Sequence, residues 1–203
     1  MKKLLFACLG AVLLLFMFNS ASAQTRFGVK AGLNLANISG DDTEDTKMLP
    51  TFLIGGQAEF GLSDNLGLGV GLQLSGKGFK LDVQDETFAS KPFYLQVPVQ
   101  LIYRNSGFFA GAGPYVGFGL FGKNTGGDED ENLKFGNTIE DSYAPLDFGA
   151  GLELGYEFSS LRVTASYNLG LSNIIPKDVA DAFDSSAKHN VIGISLAYLF
   201  GGE

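Results

Sequence analysis

Beyond residue 23, apolar side chains recur at every second position, segment after segment. That period belongs to strands with two unlike faces. Phe27, Val29, Ala31, Leu33 and Leu35 alternate with Gly28, Lys30, Gly32, Asn34 and Ala36. Leu66, Leu68, Val70, Leu72 and Leu74 alternate with Gly67, Gly69, Gly71, Gln73 and Ser75. The same pattern runs through 52–62, 93–103, 110–120, 146–158, 161–170 and 191–200. These eight segments are each roughly ten residues long, the length a tilted strand needs to cross a bilayer.

The connections alternate in length. Ser63-Asp64-Asn65, residues 104–107 and Ser159-Ser160 read as tight turns, whereas 38–50, 76–92, 122–142 and 172–188 are long and polar. Short turns at one end and long loops at the other predict an all-β, eight-stranded, antiparallel up-and-down barrel. An even strand count puts both termini at the short-turn end, which is the periplasmic end of an outer-membrane barrel.

Composition decides where the apolar face points. In a soluble lipocalin-like carrier the apolar face turns inward and a charged face meets water. Here the second face is mostly Gly with a few Gln, Glu, Lys and Arg, which suits a narrow lumen. The chain has 28 Gly among 203 residues, with 45% hydrophobic and 18% charged residues. Acids outnumber bases 22 to 14, which excludes a nucleic-acid partner. Met1-Lys2-Lys3, the apolar run from Leu4 to Phe18 and Ala21-Ser22-Ala23 form a secretory signal peptide over 1–23, leaving a barrel domain over 24–203. Its removal takes two lysines and no acid, so the net charge moves from −8 to −10. It also takes Cys8, the only cysteine, so disulfides contribute nothing to the barrel domain.

Several short motifs carry a family resemblance. Tyr94-Leu95-Gln96-Val97-Pro98, Gly113-Pro114-Tyr115-Val116-Gly117, Asp147-Phe148-Gly149, Gly155-Tyr156-Glu157-Phe158 and Tyr167-Asn168-Leu169-Gly170-Leu171 resemble the small outer-membrane β-barrel ("porin family", PorT-like) proteins of Bacteroidetes. The resemblance implies outer-membrane location and the barrel fold. It brings no catalytic motif.

The lumen parity collects Lys30, Gln57, Glu59, Gln73, Gln96, Gln100, Asp147, Glu153, Glu157, Arg162 and Asn168. Lys30 and Arg162 are its clear cations, so an acid surplus is expected. Buried charges must pair, which predicts a structural plug; a narrow cation path along the surplus acids is the alternative. Water-filled porin channels belong to barrels of about 16 strands. His189, the sole histidine, has lumen parity at the outer rim of the last strand. With Ser185, Ser186 or Ser195 it could serve a lipid-modifying enzyme, but no nucleophile signature accompanies it, and the expectation is no enzyme. One histidine also cannot build a His-based metal site, and neither a metal nor a cofactor is expected.

Irregularities are expected at four positions. Pairing Tyr103 with Phe108 would set Pro98 opposite Gly113 and beside Pro114, and proline cannot donate to a ladder, so a bulge or a local opening is expected there. Past Gly76 and Gly78 the apolar phase changes to Phe79, Leu81 and Val83, which suggests a bulge below a hairpin standing clear of the membrane. Val179, Ala182 and Phe183 could make one amphipathic turn over the mouth. Asp41, Asp42, Glu44 and Asp45 form one acidic loop and Asp128-Glu129-Asp130-Glu131 another; both read as solvated faces without EF-hand spacing. The leading functional expectation is an envelope structural or interaction role, with outer-membrane lipid or lipopolysaccharide around the barrel and an envelope or extracellular protein at the loops.

Overall fold

The computed structural model describes residues 25–41, 43–83, 86–126 and 130–201. The signal peptide expected over 1–23 and the acids Asp42, Asp128 and Glu129 lie outside them. The strands are β1 Thr25–Gly40, β2 Leu49–Gly61, β3 Leu66–Gly76, β4 Phe79–Val83, β5 Glu86–Asn105, β6 Phe108–Thr125, β7 Glu131–Asn132, β8 Leu146–Phe158, β9 Leu161–Gly170 and β10 Ala187–Phe200. A short helix, α1, spans Lys177–Phe183. Among the described residues no helix is long and apolar enough to cross a membrane.

Eight strands close into a ring through antiparallel neighbours: β1, β2, β3, β5, β6, β8, β9 and β10, with β10 returning to β1. The first strand seals against the last from Phe27↔Phe200 to Gly40↔Ala187. Closure gives every strand of the ring a hydrogen-bonded neighbour on both edges, which is what a hydrocarbon surround demands. Alternation then sorts the side chains. Val29, Leu33, Ile54, Leu72, Leu101, Leu154, Ile194 and Leu196 point outward and exposed, while Lys30, Asn34, Glu59, Gln73, Gln96, Arg162 and Thr164 are buried inside. Aromatic rings border the apolar band. Phe52, Phe93 and Phe121 form a row toward the long loops, each neighbouring pair 5.1 Å apart. Phe27–Phe200 and Phe108–Tyr156, at 6.2 and 4.9 Å, stand near the short turns. Such girdles mark the two interfaces of a membrane barrel.

Several strands run beyond the expected ten residues. β5 has 20, β6 has 18 and β1 has 16, so much of what reads as loop is strand standing above the band. The β5–β6 turn is Ser106-Gly107 alone, with Asn105 opposite Phe108. Both turn residues have positive φ, 50° and 87°, the conformation whose twist matches a two-residue hairpin. A Cβ on Gly107 would stand 2.7 Å from the Tyr156 ring, so only glycine fits that turn. This register corrects the expected pairing: Tyr103 faces Ala110 and Pro98 faces Tyr115, not Gly113.

Around Pro98 the ladder thins on both flanks. Pairing passes from Val70↔Val99 to Gln73↔Gln96 on one side and from Leu101↔Ala112 to Pro98↔Tyr115 on the other. The unpaired stretches are Val97 and Pro98 opposite Gly71 and Leu72, and Val99 and Gln100 opposite Gly113 and Pro114; neither proline has an N–H to donate. The true bulge is elsewhere. Phe93 faces Phe121 and Tyr94 faces Gly119, which leaves Leu120 as the extra residue. Leu120 and Phe121 therefore both face outward, and the lumen face of β6 shifts to even numbers above them. No bulge separates β3 from β4: Gly76↔Phe93 and Phe79↔Ser90 lie on one register. The break at Lys77 and Gly78 is conformational, with Gly78 at φ 110°.

The apolar exterior sets the stability test. Leu72 lies mid-strand on the outer face, half exposed. Leu72→Arg should lower unfolding free energy by about 2–4 kcal/mol in a bilayer, and Leu62→Arg, at the turn, by much less. Chemical denaturation of the lipid-embedded barrel measures both; equal losses would contradict the placement of the band.

Candidate functional site

The lumen holds three layers of polar side chains. The lowest lies near the short turns. Arg26 from β1, Glu59 from β2, Arg104 from β5, Glu157 from β8 and Arg162 from β9 meet there. Arg26 donates from Nη1 to Glu157 Oε2 at 2.9 Å and from Nη2 to Glu59 Oε2 at 2.9 Å. Arg104 Nη1 donates to the same Glu59 oxygen at 3.0 Å. Arg162 bonds both carboxylates and lies over the Phe109 ring at 4.2 Å. Glu59 is thus shared by three guanidinium groups, the only arrangement that lets so buried a carboxylate keep its charge.

The middle layer is the Lys30–Glu153 pair at 2.7 Å. Beside it is a cavity of about 20 Å³, room for a water molecule, lined by Gln57, Gln73, Pro98 and Gln100 among others. The upper layer is the most secluded. Lys77 Nζ donates to Asp147 Oδ2 at 2.5 Å, with side chains 1% and 0% exposed. Ser172 donates to the other Asp147 oxygen at 3.1 Å, and the Tyr115 ring faces the ammonium at 4.2 Å.

Above this pair the long loops fold inward. Leu133, Tyr143, Ile174 and Ala187 form an apolar cluster with Ile38, Phe135 and Ile175 packed against it. Ala144 N–H donates to Ile174 O at 2.8 Å and Asp178 N–H to Asn137 O at 3.0 Å, so the third and fourth loops are stitched together. His189 sits beneath, fully buried, stacked on Tyr143 at 5.9 Å and edge-on to Tyr94 at 5.5 Å. Toward the first loop, Lys47 and Lys80 exchange backbone hydrogen bonds, and Lys47 Nζ donates to Asp82 at 2.9 Å. Hydrogen bonds from Lys47 and Thr87 hold the exposed Asp82 carboxyl below its ordinary range.

The residues expected inside are placed as follows. Lys30, Gln57, Glu59, Gln96, Glu153, Glu157 and Arg162 all face the lumen, and each charged one is paired. Gln57 donates to Glu59 at 3.0 Å, while Gln96 is buried with both amide atoms unpartnered. Pro98 borders the middle cavity; Pro114 sits in the ladder gap without lining it. The Gly76 carbonyl accepts from Asn34 and Thr51, and Gly78 makes the backbone turn beside Pro92. The expected acid surplus is corrected. Arg26, Arg104 and Lys77 join Lys30 and Arg162, giving five cations against Glu59, Asp147, Glu153 and Glu157. Parity could have found them. Lys77 continues the parity of Gln73 and Ser75, and Arg104 that of Gln96 and Gln100, although both lie in stretches whose composition reads as loop or turn. His189 lies near the long-loop end of β10, turned inward and fully buried as part of the seal. The helix α1 has no buried residue and Phe183 is 76% exposed, so that turn does not pack over the mouth. Among the described residues, no group of three or more His, Cys, Asp or Glu is placed to hold a metal ion.

Comparison with known proteins follows from this geometry. The model of the "Outer membrane protein beta-barrel domain" family matches residues 19–176. The chain belongs to that family. Among solved structures, this outer-membrane barrel is similar to Ail, the attachment invasion locus protein of Yersinia pestis, at 12% identity and TM-score 0.49, covering 87% of this chain and 99% of that one. It is similar to Neisserial surface protein A at 12% identity and TM-score 0.49, covering 85% and 96%. It is similar to E. coli outer membrane protein W at 14% identity and TM-score 0.38, covering 89% and 100%. No curated protein matches the sequence.

Breaking the upper pair tests its role in the outer-membrane barrel. Asp147→Ala strands a buried ammonium and should cost about 3–5 kcal/mol, whereas Lys77→Met combined with Asp147→Leu should cost clearly less. Urea unfolding in detergent compares them; a double variant as unstable as the single one would mean that packing, not charge, dominates.

Proposed function

We propose that this protein is a sealed outer-membrane scaffold whose task is to hold its long loops as an interaction surface. The observation that carries the reading is the closure of the lumen at the long-loop end. There a fully buried Lys77–Asp147 pair lies under His189, Tyr143 and the stitched loops. A barrel built for solute passage would not bury its central charges beneath an apolar cluster.

In this reading the long loops face the cell exterior and both ends of the described chain face the periplasm. Thr25 and Gly201 lie beside each other at the short-turn end, as an even-stranded barrel requires. Lipid or lipopolysaccharide surrounds the apolar band. An envelope or extracellular protein is met by the loops, where Ile139 and Phe183 are each 76% exposed. We assign no reaction. Among the described residues the ring nitrogens of His189 have no hydrogen-bond partner, and Ser185 donates instead to the Phe183 carbonyl. The sequence motifs shared with PorT-like proteins support the same envelope setting.

Two measurements check the reading. The barrel reconstituted in planar bilayers should give no unitary current steps; reproducible steps would favour a narrow ion-conducting barrel. Since Cys8 is the only cysteine, single cysteines report sidedness cleanly. An impermeant maleimide on intact cells should label Ile139→Cys and spare Ser63→Cys, and the reverse pattern would invert the orientation.

A further inference from the structure

The lumen is sealed at one end only. Side chains are 1% exposed at Lys77 and 0% at Asp147, 8% and 14% at Lys30 and Glu153, and 19% at Arg26 and 22% at Arg104, although Glu59 and Arg162 of that last layer are only 2% and 3% exposed. The barrel is therefore a blind cup whose mouth is at the short-turn end. Its upper and middle layers are neutral pairs, Lys77 with Asp147 and Lys30 with Glu153. The layer at the mouth is not neutral, because Arg26, Arg104 and Arg162 face only Glu59 and Glu157.

That excess has a definite location. Arg162 is turned inward and bonds both carboxylates. Arg26 donates through Nη1 and Nη2, but its Nε–H is buried without an acceptor among the described residues. Arg104 reaches Glu59 through Nη1 only. Its Nη2 lies over Gly67, where a Cβ would come within 3.3 Å, so a glycine there is what lets the guanidinium lie in this position, and Nη2 makes no side-chain hydrogen bond among the described residues. A buried donor without a partner and a half-used guanidinium thus sit at the open mouth of a low-dielectric cup with one cation in excess. Guanidinium edges bind planar or tetrahedral oxyanions through paired N–H donors.

We propose that the short-turn mouth of the barrel is a binding site for a small oxyanion, phosphate or a carboxylate, held by Arg104 and Arg26. The anion supplies the missing counter-charge of the lowest layer. Binding to the folded barrel alone makes the site visible as stabilisation that saturates with anion concentration.

The test uses the whole barrel domain folded in zwitterionic detergent. Its thermal unfolding midpoint is followed against sodium phosphate or sodium acetate, each matched in ionic strength by sodium chloride. A saturable rise with phosphate or acetate beyond chloride is expected, and the anion giving the larger rise names the ligand chemistry. Arg104→Gln should weaken the apparent affinity at least about tenfold, the loss of a charge-assisted contact. Lys47→Gln, at the opposite end, should leave it unchanged. Equal responses in wild type and Arg104→Gln, or no difference from chloride, would overturn the proposal. If Arg104→Gln fails to give the heat-modifiable folded band, arginine side-chain NMR of the wild type decides. Saturable shifts of the Arg26 and Arg104 Nε signals support the site, and their absence sinks it.

Discussion

An eight-stranded ring leaves an interior too narrow for bulk water, and the rest of this structure follows from that constraint. Backbone closure frees the outside to be entirely apolar. Inside, each charge must meet an opposite one across the lumen or abandon its charge, because desolvation is too costly otherwise. Glycine on the inward face of β2, β3 and β6 makes the room. Long side chains from other strands fill it: Arg162 reaches Glu59 from β9 to β2, and Lys77 reaches Asp147 across 70 residues of sequence.

The layers differ in what they contribute. The upper pair is sealed by aromatic rings and loop contacts, so it locks the long-loop end and fixes the loop platform above. The lowest layer is partly exposed at Arg26 and Arg104 and carries one more cation than acids. Between them the Pro98–Pro114 gap loosens the wall beside a water-sized cavity. Proline has no N–H to give to the ladder, and the pairing is interrupted where the two prolines stand. The result is a rigid, asymmetric scaffold, closed toward the loops and open toward the chain ends.

Period-two alternation, read with the connection lengths and the composition of the second face, determined the strand count, the outward and inward faces, the short-turn and long-loop ends, and the lumen position of Lys30, Glu59, Glu153, Glu157 and Arg162. It could do so because each strand's faces are set by a local rule and lipid leaves no latitude for error. Register and partnership were decided only by the closed ring. Leu120 is absorbed as a bulge so that β6 can match β5, and Pro98 faces Tyr115 because the turn shrinks to Ser106-Gly107. Arg26, Arg104 and Lys77 join the lumen because strands outlast the apolar band, and His189 becomes a buried stack because two distant loops fold over it. These features depend on contacts between residues far apart in the chain, and no local pattern encodes which distant charge will stand opposite.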